Sequence, residues 1–497
     1  MSAYKILEKH FKQISVLSGA GAILHWDSAV MMPDGGADAR AEQMAVLGVI
    51  SHELLIAPKI SDLLDEAEVA ASGLDVWQAR NLIEMRRNWR HATAVDSDLV
   101  EAFSHATSKC EMEWRKARED NDFKYLLPSL EQVISLTQQI ATVKSEQFDL
   151  SPYDALLDQY EPGCNQERID ILFADLQDFL PDFLQEVLDR QASEPPFVQP
   201  QGPFSIESQK QLGLSFMTDL GFDFNHGRLD VSHHPFTGGI PNDVRLTTRY
   251  ETGDFTQSLM GTLHETGHAM YEQNLPRDWR LQPVGEARGM ALHESQSLLI
   301  EMQLSRSDAF LTYAYPKLKA TLENKGGDWG FEDLKRLYRR VECGFVRVDA
   351  DEVTYPLHVI LRYRLETALL SGDLMVTDLP GAWNDGMEEL LGIRPDTDSL
   401  GCLQDIHWPG GAIGYFPTYT MGALAAAQFF QAANAQVPNL MLDVSEGKFS
   451  SLMGWLKMNI HQYGSFKSTD QVLRDATGSI LDTTAFKEHL KARYLPE

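Results

Sequence analysis

The chain has 497 residues, 43% of them apolar and 23% charged, which suits a large folded core, and its formal net charge is −29. A surface this acidic lacks the basic face that nucleic acid or an anionic membrane requires, so neither is expected as a partner. No apolar run approaches about 20 residues, so no membrane span is expected either.

Residues Met1–Phe11 mix charges with apolar side chains at helical spacing, which reads as an amphipathic helix and not as a signal peptide. The four cysteines, Cys110, Cys164, Cys343 and Cys402, are scattered without paired spacing, so the chain is read as cytoplasmic, with no disulfide framework and no cysteine–zinc cluster. The pattern is helical nearly throughout to about Ser193. Ile169, Leu172, Leu176, Phe179, Phe183 and Val187, for example, recur at threes and fours. Trp26 through Gly36 reads as a turn, with a helix resuming near Ala37, and Ser151-Pro152 and Glu161-Pro162-Gly163 are further breaks. The proline-rich stretch 193–203 is a candidate subdomain boundary within a single domain over 1–497. A helix over Ile206–Leu220 leads to the one β-like region, Gly227–Glu251, where Val244, Leu246, Thr248 and Tyr250 alternate with polar residues. Thr237–Asp243 reads as the turn before that strand, so a hairpin or small sheet is expected, with an edge that an extended peptide can join.

Directly after it comes His264-Glu265-Thr266-Gly267-His268, preceded by the apolar stripe Phe255, Leu259 and Leu263, with Asp254 as the expected N-cap and Pro276 as the stop. Residues four apart share one helix face, so both imidazoles point at one spot and can hold one divalent ion. Glu265 lies beside that spot, where such a motif uses its carboxylate as the general base for an attacking water. A catalytic ion needs a third protein ligand and an open position. Gly285–Glu301 reads as a second helix carrying His293-Glu294-Ser295-Gln296, thirty residues on, enough for the chain to turn back. Neighbours on a helix diverge by roughly 100°, so either Glu294 or His293 faces the ion, and Glu294 gives the two-His, one-Glu set. Zinc is the expected metal, with cobalt or manganese able to occupy the same donors.

Beyond Glu301 the helices resume, broken at Gly326-Gly327 and Pro380-Gly381. Gly401–Gly422 then reads as a functional loop, rich in glycine, proline and exposed aromatics around one histidine, His407.

Several motifs stand beside the pentad: His234-Pro235-Phe236, Asp243-Val244-Arg245-Leu246-Thr247, His293-Glu294-Ser295-Gln296, Val346-Arg347 with Ala350-Asp351, and Gly401-Cys402-Leu403-Gln404-Asp405-Ile406-His407-Trp408. Leu24-His25-Trp26-Asp27, Tyr160-Glu161-Pro162-Gly163 and Ile413–Tyr419 extend the set over nearly the whole chain. In this order they resemble the carboxypeptidase Taq family of metallopeptidases, with Val346 where the family usually has isoleucine. The resemblance implies a mainly α, two-lobed, neurolysin-like metallopeptidase with a deep cleft and a small sheet beside the zinc helix. It also implies release of single C-terminal amino acids from peptides, a homodimer, and Glu294 as the third ligand. His407 with Tyr419, or with Tyr415, would then stabilise the oxyanion, Tyr419 being favoured by likeness to the loop of neurolysin-type enzymes. A carboxypeptidase also needs a cation that reads the terminal carboxylate. Arg347, with Asp349 and Asp351 beside it to orient a guanidinium, is the first choice and Arg245 the second; His234 is expected to shape the cleft. Asp349 and Asp351 can equally orient other neighbours or close salt bridges. An oligoendopeptidase with the same chemistry and a silent peptide-binding scaffold are the rival functions. Free-carboxylate dependence separates the first, and the presence of Glu265 argues against the second.

Overall fold

The computed structural model describes residues 1–322 and 327–496, so Gly326 of the Gly326-Gly327 break lies outside the described residues. The chain is mainly α-helical, and its order follows the breaks. The first helices are α1 (Ala3–Val30), α2 (Ala37–Ile56), α3 (Pro58–Val69) and α4 (Val76–Thr93). Trp26 and Asp27 belong to α1, so the turn is confined to 31–36; Trp26 is buried, which keeps the helix going through it. Four more helices lead to the proline-rich stretch: α5 (Ser97–Asp120), α6 (Phe123–Phe148), α7 (Pro152–Tyr160) and α8 (Gln166–Ser193). The threes-and-fours pattern of α8 buries Ile169, Leu172, Leu176, Phe183 and Val187, and the Asn165 side chain caps its first turn by accepting the Arg168 N–H.

Helix α9 (Ile206–Leu220) precedes a three-stranded sheet of β1 (Gly227–Val231), β2 (Thr237–Ile240) and β3 (Asp243–Thr248) in the order β1-β3-β2. β1 runs parallel to β3, and β2 pairs antiparallel with it in the register Thr237↔Leu246 and Ile240↔Asp243. Four residues expected in the turn are therefore a strand, and the turn itself is Pro241-Asn242; Gly239 can follow this path because its φ is +93°. The alternation in β3 buries Val244, Leu246 and Thr248 as its period predicts.

The sheet packs on α10 (Thr256–Asn274), where Thr262 and Thr248 are buried in contact through their hydroxyls. Phe255, not Asp254, is the capping position of α10. Asp254 still serves the helix, because its Oδ1 accepts the Thr256 N–H at 2.7 Å. The second helix is shorter than expected: Pro283–Gly285 is a 3-10 turn, α11 spans Met290–Leu298, and Leu299–Leu304 continues as a π-helix. After α12 (Asp308–Thr321) and α13 (Phe331–Tyr338) come α14 (Tyr355–Ser371), α15 (Leu379–Leu391) and α16 (Pro417–Gln436). Pro380-Gly381 opens α15 instead of breaking a helix, since proline in the first turn forfeits no helical hydrogen bond.

Two apolar cores result. The large one joins α5–α16 and the C-terminal helices, and a small one gathers Tyr4, Leu7, Phe11, Ile60, Leu64, Leu82 and Met85 from α1, α3 and α4. Among the described residues no single helix is long and apolar enough to cross a membrane.

Candidate metal centre and catalytic cleft

Helices α10 and α11 approach so closely that a Cβ on Gly267 would lie 2.3 Å from the Gln296 carbonyl oxygen. That contact explains the glycine inside the pentad and brings His264, His268 and Glu294 to one point. The three donor atoms lie within 4.8 Å of one another, with Glu294 Oε2 3.3 Å from His268 Nε2 and 4.0 Å from His264 Nε2. An ion bound tetrahedrally at about 2.0–2.1 Å from each donor would set them about 3.3 Å apart, so the set fits a divalent metal.

The outward nitrogens agree with that fit. His264 Nδ1 donates to Glu301 Oε2 at 3.0 Å. His293 Nε2 donates to Glu272 at 2.9 Å, so its Nδ1 accepts from His268 Nδ1 at 2.6 Å. In their neutral forms both histidines therefore turn an Nε2 lone pair toward Glu294, and their partners fix the tautomer. His293, the rival ligand, is outside this donor cluster: its two ring nitrogens are engaged with His268 and Glu272. Charge points the same way. Burial opposes a proton on His264, yet Glu294, Glu301 and Glu265 outweigh it and raise its pKa to about 10. Burial likewise opposes charge on Glu294, but the two imidazoles draw it down to about 2. The acidic surroundings of His264 thus favour a positive charge between it and Glu294, while burial keeps His268 neutral.

Glu265 is buried in the wall beside the donors, and the Thr237 hydroxyl on β2 donates to its Oε2 at 2.7 Å. The edge of β2 thus borders a cleft of 670 Å³ lined by Phe236, Thr237, Glu265, the three donors, Arg306, Arg347, Tyr355, Tyr415 and Tyr419. Opposite β2, Tyr419 lies in the first turn of α16 and not in the loop, and its hydroxyl is 3.2 Å from His407 Nε2. Burial, then the Arg347 and Arg362 charges, outweigh Asp405 and hold His407 neutral, with its pKa lowered to about 4. Trp408 and Phe416 are buried instead of exposed, because the buried Glu366 accepts from Trp408 Nε1, Tyr153 and the Gly414 N–H and folds the loop over the core.

Arg347 lines the cleft in a 3-10 turn, Arg347–Asp349, and the acids that orient it are not its neighbours. Its Nε and Nη2 donate to Asp405 Oδ1 at 3.2 and 2.8 Å, and its Nη1 to the Tyr355 hydroxyl at 3.2 Å. Asp351 instead accepts the backbone N–H groups of Glu342, Val353 and Thr354. Arg362, fully buried on α14, binds the other oxygen of Asp405 at 2.6 Å. Arg245 does not join the cleft lining; it pairs with Asp243 at 2.7 Å and covers the Trp26 ring. His234 is exposed, with its ring against His233, and is likewise outside the lining.

Sequence reasoning gave no role to Glu301, Thr237, Arg306, Arg362 or Tyr355. Glu301 carried a usable signal: it follows Glu294 by seven residues, which returns to the same helix face. A carboxylate of Glu161, accepting the Ala291 N–H at 2.9 Å, holds the first turn of α11 from a motif whose purpose was not legible.

This donor set, in a helical cleft edged by a strand, defines a metallopeptidase. The chain belongs to the carboxypeptidase Taq (M32) metallopeptidase family, whose profile matches residues 6–494. It is 36% identical over 506 aligned positions to thermostable carboxypeptidase 1 of Thermus thermophilus, covering 99% of this chain and 98% of that protein. It is 34% identical to carboxypeptidase 1 of Bacillus subtilis, with 98% of each covered. The solved structure of Trypanosoma cruzi metallocarboxypeptidase 1 superposes with a TM-score of 0.97 at 39% identity, covering 99% of both chains. The chain is accordingly a metallocarboxypeptidase acting on peptides.

Proposed function

We propose that the chain is a zinc carboxypeptidase that releases single amino acids from the free C-terminus of peptides, with His264, His268 and Glu294 holding the ion. When bound, the metal supplies Lewis acidity toward the scissile carbonyl and a water acidified toward neutral pH. Glu265 takes the proton of the attacking water and returns it to the leaving amine, while the Thr237 hydroxyl keeps its carboxylate in place. Tyr419, steadied by neutral His407, and Tyr415 donate to the oxyanion. The peptide's acyl side extends along the edge of β2.

One observation carries the exopeptidase reading. Arg347 and Arg362 share a single carboxylate, Asp405, and neither has a second acid at ion-pair distance among the described residues. Burial, then the Arg347 charge, outweigh Asp405 and lower the Arg362 pKa to about 10, and its Nη2 has no partner among the described residues. The pair is one negative charge short, at the cleft surface where Arg347 lies, and a substrate carboxylate completes it. The same reading takes the homodimer from the family resemblance and the cytoplasmic location from four unpaired cysteines.

The test compares a peptide with its C-terminal amide. Wild type should cleave the amide at least about 30-fold more slowly, since losing one partner of a hydrogen-bonded charge contact costs about 2 kcal/mol or more. Arg347→Ala should lose that discrimination. An amide cut as fast as the acid would favour the oligoendopeptidase.

A further inference from the structure

Asp349 occupies the cleft wall two residues from Arg347, in the same 3-10 turn. An acid beside a guanidinium is expected to pair with it, yet Arg347 spends its donors on Asp405 and Tyr355. The Asp349 carboxylate is exposed, and among the described residues it has no hydrogen-bond or ion-pair partner. Each other charged group lining the cleft has one. Glu301 holds His264 and Arg306, Glu294 faces the two histidines, and Glu265 has Thr237. Two charge imbalances therefore meet in the cleft wall: Arg347 shares the single carboxylate of Asp405 with Arg362, and Asp349 has no cation among the described residues.

A C-terminal lysine or arginine carries both missing charges on one residue, one on its carboxylate and one on its side chain. Its methylene stem also has a surface to cover, because Met260, Leu298 and Met302 line the same cleft. We propose that Asp349 is a specificity-determining residue that favours release of cationic C-terminal residues over neutral and acidic ones. This rests on the reading of Arg347 as the group that binds the substrate carboxylate. The preference is modest, because Asp349 is solvated. An exposed ion pair contributes about 0.2–1 kcal/mol, which converts to at most about fivefold in kcat/KM.

The experiment uses metal-loaded full-length enzyme and acylated tripeptides that differ only in the last residue: lysine, norleucine or glutamate. The quantity read is the ratio of kcat/KM values within each variant, which does not depend on how active that variant is. Wild type should prefer lysine to norleucine about three- to fivefold, and the ratio should shrink as salt is raised toward about 0.5 M. Asp349→Asn should bring it to about one, and Asp349→Lys should reverse the order so that glutamate leads. A wild-type ratio near one, or an unchanged ratio in Asp349→Asn, overturns the inference. The amides of the same peptides separate the two levels. Strong discrimination against the amide with no effect of Asp349 removes this inference alone. Amides cut as fast as acids remove the exopeptidase reading and this inference with it.

Discussion

At the scale of single residues, the proposed metal site depends on groups outside its donor set. His264 presents Nε2 only because its Nδ1–H has an acceptor, and that acceptor, Glu301, is itself held by Arg306 at 2.7 Å. Removing the carboxylate frees the ring to rotate and leaves a half-buried arginine unpaired. Loss of such a supporting partner typically weakens metal affinity about 10–100-fold, so Glu301→Ala should fall in that range. Glu301→Gln should recover most of the loss, since its amide oxygen still accepts from Nδ1. Competition with a chelator of known affinity measures both, and an alanine variant that binds as tightly as wild type would show that α10 alone fixes the ring.

At the scale of elements, the donors meet because α10 and α11 touch backbone to backbone at Gly267, and α11 and α16 touch at Gly422. There a Cβ would lie 2.7 Å from the Glu294 Cβ. A methyl at Gly267 has nowhere to go, because what it meets is the Gln296 carbonyl and the Ser297 Cα and not the end of a flexible side chain. Gly267→Ala should therefore push α11 outward, lower stability by about 1–3 kcal/mol despite alanine's better helix propensity, and weaken metal binding. Thermal unfolding with and without metal reports the two effects, and a variant as stable as wild type that keeps its metal would mean the helices can slide.

The same contacts explain what the sequence could reveal. The two histidines, the glutamate beside them and the burial pattern of β3 are local regularities, a few residues apart, and periodicity exposes them. Asp405 lies 58 residues from Arg347, and only the packing of α14 against the loop brings it there, so the nearer Asp349 and Asp351 were the natural but mistaken partners. Thr237 looked like turn because Gly238-Gly239 follows it; pairing with β3, which no local propensity encodes, makes it strand.

At the scale of the whole molecule, the two cores are unequal, and their junction mixes hydrogen bonds with aromatic stacking, Trp77 of α4 lying against Trp279 and Phe466. The small core of α1, α3 and α4 meets the segment leading to α11 through Asn81, whose Nδ2 donates to the Tyr4 hydroxyl at 3.2 Å and to Gln282 at 3.0 Å. Gln282 in turn donates to the Glu8 carbonyl at 2.9 Å, and α1 also packs on β2, the strand that borders the cleft. Helix α2 adds little, since none of its residues is fully buried and Leu55 packs against the small core only in part. A small core, a helix α2 with no buried residue and a seam that relies in part on hydrogen bonds describe a unit that opens ahead of the rest. Amide exchange should therefore be faster in α1–α3 than in α10, α11 and α16. Leu7→Ala, which empties a fully buried site of the small core, should cost that unit about 2–5 kcal/mol. If the unit opens independently, exchange in α1–α3 should rise about 30-fold or more while α10 and α11 stay as protected as before. If exchange rises equally everywhere, the helices over the cleft unfold only with the whole chain, and the small core is an integral part of the large one.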